Sequence, residues 1–180
     1  MKSVMQVFKK LIDPGNILII AIIGSIILGT WLYMSYMAPL EIHYKYSGLK
    51  YKNGDPSVVV PITIDIDGSY TRGLFNKEDE FKGKIIIADK ELNCEKKPIK
   101  FNKYKMASLD SGTISNSEHF GMIYIGDMFK RLTIDIHELG ENQVYYPSGW
   151  LISAPCEKRD QAVEISNSLV QRMSKGLLIK

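Results

Sequence analysis

The feature that most constrains this chain is a long uncharged stretch near its N-terminus. No charged side chain lies between Asp13 and Glu41, and residues 17–37 are mostly Ile, Leu, Met and aromatic. A helix of about 20 residues crosses the hydrocarbon core of a bilayer. Inside lipid, a single isolated segment can satisfy its backbone hydrogen bonds only as a helix. The sequence therefore predicts a transmembrane helix over residues 16–38.

A cleaved signal peptide is the competing interpretation of this stretch. The apolar run is longer than the core of a signal peptide, which spans about 7 to 15 residues. Pro39 directly follows Ala38, the only small residue near the end of the run, and this is a poor context for cleavage. The sequence also has no cysteine there that a lipid could modify. We therefore favour an uncleaved anchor.

The orientation of the anchor depends on the lysines at its two ends. The lysines nearest to it in sequence are Lys2, Lys9, Lys10, Lys45, Lys50 and Lys52. The two ends are nearly balanced, but Lys9 and Lys10 are closest to the apolar run, and such residues tend to stay in the cytoplasm. We predict a cytoplasmic N-terminus, with the rest of the chain outside the cell membrane. The basic segment 1–15 is either a short helix in the headgroup layer or a frayed tail.

Small residues recur along one side of the anchor. Ala21, Ser25 and Gly29 are spaced every four residues and so form one stripe of a helix. Such a stripe lets two helix backbones approach closely in lipid. Small residues are also common in membrane helices, so a stripe that faces lipid is the simpler interpretation. The alternative hypothesis is that the anchor associates through this stripe, as a homodimer or with the helix of a partner.

The composition of the chain narrows the classes of partner. The chain has 23 Lys and Arg against 20 Asp and Glu, so the charges nearly cancel once the lysines before the anchor are set aside. A nucleic-acid-binding domain would carry a strong positive field, and we exclude that class. The remaining residues 39–180 suit a single domain with its own core.

Alternating apolar and polar residues predict strands in that domain. The alternation runs from Val60 to a turn at Asp67–Gly68, and again from Phe81 to Ile87. A strand is also predicted over 98–105 and a last one over 150–154. An amphipathic helix is predicted at about 157–175. The expected fold is α+β: a transmembrane helix, a mostly antiparallel sheet and one C-terminal helix that covers it.

The clearest hairpin is predicted over residues 120–136. A three-residue loop, Gly126–Met128, gathers the apolar residues on one face because it sets Met122 across from Leu132. The same register sets His119 across from Asp135.

One part of the chain resembles known proteins. Residues Gly149–Pro155 (GWLISAP), followed by Arg159–Asn167 (RDQAVEISN), resemble the end of uncharacterised single-pass, β-rich proteins of Gram-positive bacteria. The hairpin before them is similar as well. The resemblance covers the C-terminal third and implies no particular activity.

The candidate catalytic residues are His119, Asp135 and Glu138. Zinc sites need three or four convergent ligands with a second shell, and a solvated cross-strand pair explains His119 and Asp135 more simply. The sequence contains no GxSxG, HExxH, GxGxxG or Walker A motif. We predict no metal and no cofactor.

A dense basic strip is the candidate binding surface. Its members are Lys96, Lys97, Lys100, Phe101, Lys103, Tyr104 and Lys105. It could bind anionic lipid headgroups or an anionic envelope polymer. Alternatively, lysines on an edge strand serve to prevent aggregation between sheets.

The only two cysteines, Cys94 and Cys156, both belong to the domain. A disulfide is chemically permitted outside the membrane. Two isolated cysteines can equally be small apolar core residues.

Together these features predict a membrane-tethered, extracytoplasmic β domain that acts as a non-enzymatic interaction or accessory module at the cell envelope. Its expected partners are the bilayer, a protein or an anionic envelope polymer. The alternative is a membrane-anchored hydrolase acting on envelope material.

Overall fold

A computed structural model describes residues 14–74, 77–109, 120–140, 145–173 and 178–179. The chain divides into two compact units, Met1–Ala38 and Pro39–Lys180. The first contains helix α1 (Pro14–Met37), which is long and apolar enough to cross a membrane. The predicted orientation depends on Lys2, Lys9 and Lys10, and these residues lie outside the described ranges.

The second unit is an open antiparallel sheet followed by one helix, and the predicted α+β class is confirmed. The strands are β1 (Leu40–Lys52), β2 (Asp55–Thr71), β3 (Asp79–Ile87), β4 (Lys90–Asn93), β5 (Ile99–Phe101), β6 (Met106–Leu109), β7 (Gly121–Gly126), β8 (Arg131–Leu139) and β9 (Tyr145–Ala154). The helix is α2 (Arg159–Val170).

The sheet curves around its main core. The strand order is β4-β3-β2-β1-β9-β8-β7-β6, and β5 pairs with β3. Leu92 on β4 and Leu109 on β6 belong to the same buried cluster, although these strands end the order on opposite sides. One face of the sheet must therefore enclose the cluster, to which every strand contributes.

Strand β2 is longer than the sequence indicates. It continues through Gly68, so the predicted turn at Asp67–Gly68 is wrong. Gly68 lies across from Gly83 on β3, and a Cβ atom on Gly83 would come within 2.1 Å of the Asp67 carbonyl oxygen. The two glycines allow a close backbone approach that no other residue permits. Gly68 therefore does not mark a turn, and it allows β2 and β3 to lie close together.

The predicted register of the β7–β8 hairpin is also wrong. Gly126 pairs with Arg131, which leaves a four-residue turn, and Met122 lies across from Asp135 instead of Leu132. Three consecutive turn residues have positive φ angles: Asp127 at 51°, Met128 at 56° and Phe129 at 69°. This left-handed turn removes Phe129 from the strand and buries its ring completely. His119 itself lies outside the described residues.

Helix α2 covers the outer face of the sheet through a second cluster. Its buried residues are Ala162, Ser166, Leu169 and Val170. Ser166 meets Tyr51 on β1 with 2.5 Å between their hydroxyl oxygens, and Thr133 on β8 and Ser153 on β9 complete the hydroxyl network. Burial raises the pKa of the Tyr51 phenol, which keeps it neutral and able to donate. The network joins the helix to three strands.

The two cysteines do not form a disulfide. Both are free and buried, Cys94 in the main core and Cys156 in the cluster under α2. Burial raises the pKa of the Cys94 thiol to about 12. Both residues therefore serve as small apolar core groups, which was the alternative interpretation of the sequence.

Candidate functional site

The candidate site is a cleft of about 540 Å³ at one end of the sheet. It lies between the start of β3 and the turn that joins β5 to β6. Its lining residues are Gly73, Lys77, Glu78, Asp79, Phe101, Asn102, Lys103, Tyr104 and Lys105.

The turn from Asn102 to Lys105 forms one wall of the cleft and is held by its own hydrogen bonds. The Asn102 side-chain oxygen accepts from the backbone N–H groups of Tyr104 at 2.9 Å and Met106 at 3.3 Å. The Lys105 N–H donates to the Asn102 carbonyl oxygen at 2.9 Å. Such Asn-centred turns tolerate a left-handed residue, and Lys105 has a φ of 60°. The lysine is thereby held beside β3.

Asp79 is the fixed centre of the opposite wall. It is the first residue of β3, lies across from Phe101 on β5 and is only 4% exposed. Its carboxylate accepts hydrogen bonds from the Tyr70 hydroxyl, from the Lys105 ammonium group and, at 2.9 Å, from the Gly73 N–H. A buried carboxylate is tolerated when its oxygens are satisfied in this way.

These contacts keep Asp79 ionised. Burial by itself would raise the pKa of its carboxyl group. The hydrogen bonds from Lys105, Tyr70 and Gly73, together with the positive charge of Lys105, outweigh burial and lower the pKa. Asp79 and Lys105 therefore neutralise each other within the cleft wall.

Aromatic packing supports Tyr70 from behind. Phe129 lies at the centre of the group, with ring centroids 6.1 Å from Tyr70, 4.8 Å from Phe81 and 5.6 Å from Phe101. The Tyr70 ring is buried, so its hydroxyl has little freedom to leave Asp79. The β7–β8 turn therefore helps to position the carboxylate through Phe129.

The predicted basic strip is only partly a surface. Lys103, Tyr104 and Lys105 line the cleft, and the Lys103 ammonium lies 5.0 Å from the centre of the Tyr104 ring. Phe101 is fully buried, which corrects its prediction as a surface residue. The strip is also not one strand, because β5 ends at Phe101 and the turn follows.

The other lysines of the strip lie beside the cleft and do not line it. Lys96 and Lys97 are exposed in the bend before β5. The Lys100 ammonium lies 3.7 Å from a carboxylate oxygen of Glu80. These three residues add positive charge near the site without shaping it.

Sequence reasoning missed Asp79, Lys77, Gly73 and Asn102. A signal for Asp79 was present, because it has the same parity as Phe81 in β3 and so takes a core-facing position. A charged residue at such a position indicates a buried, partnered group. The sequence pattern could not identify the partners of Asp79, since Lys105 lies in the turn between β5 and β6 and not next to β3 in sequence.

The candidate catalytic residues do not line this cleft. Asp135 lies on β8 with its carboxylate 3.6 Å from the His137 imidazole, and burial raises its pKa while His137 opposes the shift. Glu138 is exposed and lies across from Tyr146 on β9. His119 lies outside the described ranges. Within them, no group of three or more His, Cys, Asp or Glu side chains could hold a metal ion.

The small-residue stripe of α1 makes few contacts within the chain. The Ser25 hydroxyl donates to the Ala21 carbonyl oxygen at 2.8 Å. A Cβ atom on Gly29 would meet no atom within 4 Å apart from the helix's own backbone. The position beside Gly29 is therefore open space in the described part of the chain.

No protein-family model matches this chain, and no curated protein or solved structure matches it significantly. The resemblance to anchored proteins of Gram-positive bacteria stays a prediction.

Proposed function

We propose that this chain is a single-pass membrane protein whose β domain lies outside the cell and binds an anionic envelope polymer in the cleft. The observation that supports the proposal is the arrangement of lysines around a rigid, neutralised Asp79–Lys105 pair. Anchor α1 holds the domain at the membrane surface.

The lysines available to an anionic ligand are Lys77 and Lys103. Both line the cleft and are exposed. In the described part of the chain, neither has a carboxylate within ion-pair distance, whereas Lys105 is neutralised by Asp79. The Tyr104 ring offers an apolar platform beside them. Two such lysines, one from each wall of the cleft, suit repeated phosphate or carboxylate groups along a polymer.

A binding measurement tests this proposal. Replacing both Lys77 and Lys103 by Gln should weaken the binding of fluorescent poly(glycerol phosphate) to the full chain in detergent about tenfold or more, since each lysine contributes about 1 kcal/mol near an anionic surface. The affinity should also fall as salt is raised. Fluorescence anisotropy at two salt concentrations measures both effects.

The matched control replaces Lys82 and Lys130 by Gln. Both residues are exposed, lie outside the cleft and carry the same charge. Their double variant should bind nearly as well as the unchanged chain. Equal losses in the two double variants would show that only net charge matters and that the cleft is not the site.

The orientation of the domain has its own test. Lys97 is exposed, whereas both native thiols are buried, so Lys97→Cys creates a reactive thiol at a known place. A membrane-impermeant thiol reagent should label this variant on intact, wall-stripped cells, and Ser3→Cys should react only after permeabilisation. The reversed pattern would make the domain cytoplasmic.

A membrane-anchored hydrolase is the second candidate. The half-buried Asp135–His137 pair is the observation in its favour, because perturbed acids beside a histidine are common at catalytic sites. Release of soluble fragments from the polymer, lost in Asp135→Asn, would favour this candidate. Binding without any product favours the interaction module.

Self-association of α1 through Ala21, Ser25 and Gly29 also belongs to the proposal. The open position beside Gly29 supports it, because a second helix could pack closely there.

A further inference from the structure

The first half of strand β1 has an unpaired edge. β1 pairs with β2 from Leu40 to Lys52, but with β9 only from Leu49 to Lys52. In the described ranges, residues 40–46 therefore have a strand on one side only. Such an edge presents unmatched N–H and C=O groups and can accept another strand.

The groups on that edge can be identified. The Asn53 N–H donates to the Gly149 carbonyl oxygen and the Ser47 carbonyl oxygen accepts from the Cys156 N–H, both on the β9 side. Backbone groups of alternate residues point to the same edge of a strand. The open edge therefore presents the N–H and C=O groups of Glu41, His43 and Lys45.

We propose that this edge pairs with the same edge of a second copy of the chain. Two-fold symmetry requires an antiparallel pair. The register that pairs all of residues 40–46 sets His43 across from His43 of the partner subunit. In that register, the backbones of Glu41, His43 and Lys45 each form two hydrogen bonds with the other copy.

The side chains on the outer face complement each other in this register. Glu41 faces Lys45 of the partner subunit, and Lys45 faces the partner's Glu41, which gives two cross-strand ion pairs. Each His43 already has a counter-charge in its own chain, because its Nδ1 lies 2.6 Å from an Asp67 carboxylate oxygen. A self-complementary charge pattern favours a second copy over an unrelated strand.

The inner face is also compatible with pairing. Ile42 is buried, and Tyr44 and Tyr46 pack against the main core with their rings 5.4 Å apart. Pairing would set Ile42 beside Tyr44 of the partner subunit and extend the apolar face across both copies. Two copies anchored in one membrane are held at high local concentration, so a short interface can suffice.

Thiol crosslinking of the full chain in native membranes tests the register. His43→Cys should form a covalent dimer with a short bifunctional thiol reagent, since the two substituted residues face each other. Glu41→Cys and Lys45→Cys are the matched controls, because each would lie about 14 Å from its own copy. Both should give several-fold less dimer. The unsubstituted chain, with its two buried thiols, sets the background.

A charge variant separates strand pairing from association through the anchor. Glu41 lies across from Ser69 in its own chain, so Glu41→Lys creates no clash there. In the dimer, the new lysine of each copy would lie across from Lys45 of the partner subunit, which gives two like-charge pairs. Glu41→Lys should therefore lower the His43→Cys dimer yield about threefold to tenfold, and Glu41→Gln should give an intermediate yield. Equal yields at positions 41, 43 and 45, an unchanged Glu41→Lys yield, or a product with a different protein would overturn the proposal.

Discussion

Replacing Phe129 by alanine should lower the free energy of unfolding by about 3 to 5 kcal/mol, the usual cost of removing a buried phenylalanine side chain. The ring is fully buried and contacts Tyr70, Phe81 and Phe101. Its loss leaves a cavity between the β7–β8 turn and the far side of the sheet. Urea denaturation followed by circular dichroism at a β-sheet wavelength measures the change.

The control for this prediction is Leu139→Ala. Leu139 is an apolar residue on β8 that is 57% exposed, so its truncation should change stability by no more than about 0.5 kcal/mol. A Phe129→Ala variant as stable as Leu139→Ala would show that the turn does not pack into the core. The same variant should also weaken polymer binding, because Phe129 supports Tyr70 behind Asp79.

Replacing Asp79 by asparagine should lower the free energy of unfolding at pH 7 by about 2 to 3 kcal/mol, since hydrogen bonds to a charged group are lost. The folded-state pKa of Asp79 is lowered, so its contribution is present above the unfolded pKa of about 3.9 and is lost as pH falls through the folded pKa. The difference between the two proteins should therefore shrink below about pH 4. Denaturation at pH 7, 5, 4 and 3 measures it.

Asp89→Asn is the matched control, because Asp89 is exposed in the turn between β3 and β4. It should change stability by less than about 0.5 kcal/mol at every pH. A constant deficit for Asp79→Asn across the whole pH range would mean that the loss is steric and does not come from the ionised carboxylate.

Sequence patterns were sufficient to predict those elements whose formation depends on the residues of a single segment. The uncharged stretch before Glu41 predicted α1, because lipid forces a single segment to satisfy its own backbone. The alternation in β3 and the helical spacing of Ala162 and Leu169 predicted a strand and a helix that the structure contains. The helix is shorter than predicted, since it spans Arg159–Val170 and not 157–175.

The hairpin register shows where local patterns fail. Phe129 is as apolar as its neighbours, so the sequence pattern allowed it to begin a strand. Its real place is set by three left-handed turn residues and by rings from β2, β3 and β5. Contacts so distant in sequence carry no periodic signal.

The sequence by itself determined the long apolar helix α1, the antiparallel character of the domain and its C-terminal helix, because each follows from the spacing of apolar residues along one segment. Only the tertiary structure decided that Asp79 meets Lys105 and Tyr70 in a cleft, and that β1 lies between β2 and a β9 that covers only its last residues. Both depend on which strands become neighbours. That choice is made by packing around a common core and not by any one segment.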